Sequence, residues 1–119
     1  MRIAMCQIDV AVGDFAGNCV KIADFAARAR AGGAALCVFP ELVLCGYPPE
    51  DLLLERAFRG AHDAALQDLA GRVPPDLAVL VGCFAANAEE PVHGGRPLHN
   101  AVALLQGGQA RIVARKCLL

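Results

Sequence analysis

Two short apolar runs, each fenced by glycine or proline, limit what this chain can fold into. Ala35–Phe39 follows Gly32-Gly33 and stops at Pro40, and Leu77–Phe84 follows Pro74-Pro75. Continuous apolar runs of this length suit strands buried on both faces of a sheet better than helices. Arg2–Ile8, with β-branched and sulfur-bearing side chains before Asp9, reads as a first strand of the same kind. Between the strands the apolar period changes. From Phe15 to Arg30, Ile22, Phe25, Ala26 and Ala29 recur at helical spacing, with Asp14 as N-terminal cap and Gly32-Gly33 as the stop. The acidic pair Glu50-Asp51 is placed to open a second helical stretch, whose apolar positions include Phe58, Ala65, Leu66 and Leu69 and which ends near Arg72. A polar loop, Asn87 to Pro97, then leads to Leu98–Leu105 and Ala110–Arg115, two strands joined across Gln106-Gly107-Gly108-Gln109 as a hairpin. Strands alternating with helices and followed by a hairpin predict an α/β layered domain.

Composition removes several functional classes. With 11 Lys and Arg against 12 Asp and Glu, the net charge of -1 offers no excess for gripping a phosphate backbone, so nucleic acid is not an expected partner. No apolar run approaches the ~20 residues of a membrane-spanning helix. The N-terminal Met1-Arg2-Ile3-Ala4-Met5-Cys6-Gln7 meets a polar residue too early for a secretory signal, so a cytoplasmic location is expected. Six cysteines, at 6, 19, 37, 45, 83 and 117, show no Cys-x-x-Cys pairing and read as reduced, mostly buried thiols. His62, His93 and His99 share no spacing and no acidic partner, so no metal site is expected and they read as surface or packing residues.

The stretch with chemistry in it runs from Cys37 to Leu54. A buried strand carries Glu41 to its carboxyl end, where α/β sheets place ligands, and Pro40 restrains the backbone just before it. A carboxylate held at the lip of an apolar core should have its charged form disfavoured, which suits a general base. An isolated glutamate at a strand end more often just faces solvent; the company of Glu41 is what singles it out.

Phe39-Pro40-Glu41-Leu42, followed by Gly46-Tyr47-Pro48-Pro49-Glu50-Asp51-Leu52-Leu53-Leu54, resembles the signature of the nitrilase superfamily of carbon-nitrogen hydrolases. In its longer form it resembles the amidase domain of glutamine-dependent NAD synthetases in particular. Gln7-Ile8 with Val12 to Asn18 is similar to the family's first strand and turn, and Asn100 to Lys116 to the hairpin that ends in its catalytic lysine. Leu119 stands where that lysine segment usually has proline.

The resemblance implies a Glu-Lys-Cys triad, with Glu41 as general base and acid, Lys116 stabilising the oxyanion, and Tyr47 as a glutamine-binding residue. It implies glutamine as substrate, ammonia as product, and a synthetase domain of the same chain that uses ATP and Mg to amidate nicotinic acid adenine dinucleotide. Homo-oligomers are common in the family. Its complete fold is a four-layer α-β-β-α sandwich, so residues 1–119 are expected to be the first half of one such domain, incomplete at the C-terminus. The family's nucleophilic cysteine falls beyond Lys116, outside these residues. Cys117 is no substitute, because neighbours on a strand point to opposite faces. The residues alone are therefore expected to be inactive. A free-standing nitrilase-type amidase or carbamoylase, and a non-catalytic truncated product, are the alternatives.

Overall fold

A computed structural model describes residues 1–49, 52, 55–86 and 98–116. Seven elements follow one another: β1 (Ile3–Met5), α1 (Phe15–Ala31), β2 (Leu36–Val38), α2 (Arg56–Arg72), β3 (Ala78–Ala86), β4 (Leu98–Gln106) and β5 (Gln109–Arg115). The strands form one sheet in the order β1-β2-β3-β4-β5. β1, β2 and β3 are parallel, with α1 and α2 supplying the long crossovers that parallel neighbours need, and β4 and β5 add antiparallel to β3. The expected α/β architecture is the observed one.

Local chemistry explains the boundaries. Asp14 caps α1 by accepting from the Gly17 N–H at 2.9 Å, and Gly33 leaves the helix with φ +92°. The β4–β5 turn needs positive φ at both central residues, which Gly107 (+63°) and Gly108 (+80°) supply. Regular α2 begins at Arg56, with Glu55 at the N-cap making no side-chain bond. The acidic pair Glu50-Asp51 lies outside the described residues.

Both helices lie on one face of the sheet. Cys19, Ile22 and Ala26 of α1 and Leu66, Leu69 and Ala70 of α2 pack into one core with Cys37, Val79, Val81, Cys83, Ala101, Ala103 and Leu105. The alternate residues Leu36, Val38, Leu80, Val102 and Leu104 point the other way and are only half-buried, while Ile3 and Met5 are exposed. The expectation that the strands are covered on both faces is thus corrected: among the described residues one face is covered and the other, largely apolar, is open. His62 is fully buried, stacked on Phe84 with ring centroids 3.6 Å apart, a packing residue rather than a surface one. Among the described residues no helix is long and apolar enough to cross a membrane.

Candidate functional site

Glu41 sits in a tight turn directly after β2, and three features hold that turn in place. Leu42, Val43, Leu44 and Cys45 are all buried, so the apolar run beyond Glu41 is anchored in the core while Pro40 and Glu41 stay at the surface. Hydrogen bonds tie it to β3: the Phe39 N–H donates to Leu80 O at 2.9 Å and the Leu44 N–H to Gly82 O at 3.3 Å. Asn18, buried on α1, closes it from behind, donating from Nδ2 to Ala11 O and Leu44 O and accepting from the Ala11 N–H at 2.8–3.0 Å. The approach to β3 requires a residue without a side chain. A Cβ at Gly82 would run into Pro40 O and Leu42 N and lie 2.7 Å from Glu41 Cα.

Lys116 reaches the same place from the other end of the chain. Counting straight back from the hairpin pair Gln106 and Gln109 would set Lys116 opposite His99, with its side chain on the helix-covered face. A bulge at Val102/Ala103 intervenes: Ala103 pairs with Ile112 but Val102 with Ala114, leaving Val113 as the extra residue. The Lys116 N–H consequently donates to Asn100 O at 2.7 Å, and the side chain turns to the open face. There Lys116 Nζ lies 3.5 Å from Glu41 Oε1, the pair closed across 75 residues of sequence. Asn100 Nδ2 donates to the same Oε1.

These groups border an open cleft of about 330 Å³ lined by Phe39, Glu41, Gly82, Asn100, Val102 and Lys116 among others. The Glu41 and Lys116 side chains are 47% and 64% exposed. Glu41 is therefore more open to solvent than a lip of apolar core would make it, and its ion pair with Lys116 contributes at most about 1 kcal/mol to stability. Chemically the pair offers a proton acceptor beside a fixed positive charge. Tyr47 is 65% exposed on the loop after Glu41 and does not line the cleft.

None of the described cysteines lines the cleft. Burial pushes the Cys37 thiol up to about 12, helped by the Cys6 sulfur 3.1 Å away, and pushes Cys45 up to about 11 and Cys83 up to about 12. Thiols held so firmly protonated are poor nucleophiles. Cys117 and His93 lie outside the described residues. Among the described residues no three His, Cys, Asp or Glu side chains gather as a metal site.

Gly82 and Asn100 escaped the sequence reading, though each left a signal. Gly82 is a lone glycine inside the apolar strand run Leu77–Phe84, a mark of close backbone approach. Asn100 is an amide directly before five apolar strand residues, Ala101 to Leu105. Nothing in the sequence announced the bulge at Val113.

The profile of the family described as carbon-nitrogen hydrolase matches residues 2–119. A glutamine-dependent NAD(+) synthetase from Synechocystis sp. is 41% identical over 117 residues, which cover 98% of this chain and 21% of that protein. The enzyme of the same name from Thermotoga maritima is 34% identical over 116 residues, 98% of this chain and 19% of its own. The chain thus spans about a fifth of the length of these curated relatives. Among solved structures, the glutamine-dependent NAD+ synthetase from Acinetobacter baumannii superposes with a TM-score of 0.78 at 26% identity, over 96% of this chain and 20% of that one. An amidase from Nesterenkonia sp. superposes with a TM-score of 0.69 at 26% identity, over 97% of this chain and 41% of its own.

Proposed function

The chain belongs to the carbon-nitrogen hydrolase family, and from that premise we propose that it carries the acid–base and oxyanion-binding part of a glutamine amidase that supplies ammonia for NAD synthesis. One observation carries the reading: Glu41 Oε1 and Lys116 Nζ meet at 3.5 Å in a single cleft. Glu41 takes the proton of a cysteine thiol as the sulfur attacks the side-chain carbonyl of glutamine. The electron pair displaced onto oxygen is stabilised by the Lys116 ammonium. Collapse of the tetrahedral intermediate breaks the C–N bond, and Glu41 returns its proton to the departing ammonia. Water then attacks the thioester, Glu41 again accepting a proton; the C–S bond breaks, glutamate is released, and the departing sulfur takes the proton back from Glu41, restoring thiol and carboxylate.

The nucleophile comes from outside the described residues, in keeping with the cleft's lack of a described thiol. On the same reading Tyr47, exposed on the neighbouring loop, meets glutamine from the rim of the site. The released ammonia passes to a synthetase domain of the same protein, where ATP and Mg drive amidation of nicotinic acid adenine dinucleotide. The intact protein is then a cytoplasmic homo-oligomer.

The sequence relatives favour a synthetase over a free-standing amidase, since matches over nearly the whole chain carry the synthetase name. The test is Glu41→Gln in the intact protein. Glutamine-driven NAD synthesis should be abolished while synthesis from added ammonia persists. Equal loss of both would make Glu41 a structural residue and end the proposal.

A further inference from the structure

Asn100 touches both halves of the site. Its side-chain Nδ2 donates to Glu41 Oε1, and its main-chain carbonyl accepts the Lys116 N–H at 2.7 Å. Lys116 Nζ approaches the same Oε1 at 3.5 Å. One carboxylate oxygen therefore has two donors, whereas Oε2 has no hydrogen-bond partner among the described residues. A glutamate carboxylate has a broad, roughly two-fold preference about its last torsion. With the Glu41 side chain about half exposed, packing does not choose its orientation. The amide of Asn100 does.

We propose that Asn100 is a positioning residue that anchors Oε1 of Glu41 and so presents Oε2 as the oxygen that exchanges the proton with the attacking thiol. This rests on the reading of Glu41 as the proton acceptor. The tertiary arrangement is specific to the task. Asn100 pairs with Phe84 in the β3–β4 ladder and is followed two residues on by Val102, opposite Gly82. The strand that carries the clamp is thus the one bonded to the strand on which the Glu41 turn rests. Through its carbonyl the same residue sets the height of Lys116 after the bulge. A single amide residue in this way coordinates a base from one end of the chain and a cation from the other.

The test is made in the intact protein with Asn100→Ala and Asn100→Asp, measured beside Glu41→Gln. Asn100→Ala should lower kcat for glutamine hydrolysis about 10- to 100-fold, the loss that follows from ångström-scale misplacement of a catalytic group. The KM for glutamine should change less than about 3-fold, because the clamp acts on the base rather than on substrate. Ammonia-driven synthesis should be unchanged. Asn100→Asp keeps the shape but has no donor at high pH. It should be impaired at pH 8 and recover part of its rate toward pH 6, as the facing carboxyls take up a proton that restores a hydrogen bond between them. A role confined to strand packing predicts instead a pH profile parallel to the wild type. That result, or wild-type kcat in Asn100→Ala, overturns the proposal. Undiminished glutamine-driven activity in Glu41→Gln would overturn the underlying assignment instead, so the two failures are separable.

Discussion

Replacing Gly82 by alanine tests the contact on which the position of Glu41 depends. An added Cβ would lie 2.7 Å from Glu41 Cα, short of an ordinary contact of 3.4 Å by about 0.7 Å, with Pro40 O and Leu42 N closer still. All three obstacles are backbone, so no side-chain rotation relieves them. The turn must lift from β3 by roughly an ångström, stretching the Leu44-to-Gly82 hydrogen bond and drawing Val43 and Leu44 out of the core. Overpacking of this kind costs about 1–3 kcal/mol, which at about 3–6 °C per kcal/mol for a chain of this size lowers Tm by roughly 3–18 °C. Displacing the proposed base by the same amount should reduce glutamine-dependent kcat about 100-fold. Thermal unfolding by circular dichroism and ammonia release from glutamine in the intact protein read the two effects. Gly60→Ala is the control: its Cβ meets nothing within 4 Å, it lies in α2, and it should raise stability by about 0.5–1 kcal/mol. Should Gly82→Ala match the wild type in both Tm and turnover, the Glu41 turn does not rest on β3 and Gly82 does not set the position of the base.

Two further outcomes follow from the buried groups. His62 accepts the Phe84 N–H at Nε2 and contacts Asp63 Oδ1 through Nδ1 at 2.9 Å, so the neutral ring with its proton on Nδ1 is the form that fits. Burial holds its pKa below the ordinary 6.5, with Asp63 opposing that shift in part. The unfolded chain then binds the extra proton first. His62's contribution to stability is complete above about pH 6.5 and is lost as pH falls through the folded-state pKa. Denaturant unfolding between pH 5 and pH 8 should show this slope, flattened in His62→Gln; an identical slope in the variant would exclude His62 as its source. The second outcome concerns the 119 residues alone. Lacking a described thiol in the cleft, they should release no ammonia from glutamine beyond a heat-denatured control, and measurable turnover would mean that the nucleophile lies within them.

Much of the fold was legible because its signals are local. The caps at Asp14 and Gly33, the paired glycines of the β4–β5 turn and the change from strand to helix period are short-range chemistry, and they put the elements close to where they are observed. β1 and β2 are shorter than the apolar runs that contain them, since an apolar residue beside a strand looks the same whether or not it pairs. Glu41 and Lys116 were readable as motif residues, but no local signal records where their side chains point.

By itself, then, the sequence determined the order of strands and helices, the turn that carries Glu41 and the polar residues available for chemistry. The tertiary structure decided which of them meet. Side-chain direction in a sheet alternates with every residue, so the single extra residue Val113 settles which face Lys116 occupies. A missing side chain at Gly82 sets how closely Glu41 approaches β3, and an amide at Asn100 gives the two a common partner. These are relations between segments dozens of residues apart, which a pattern read along the chain cannot contain.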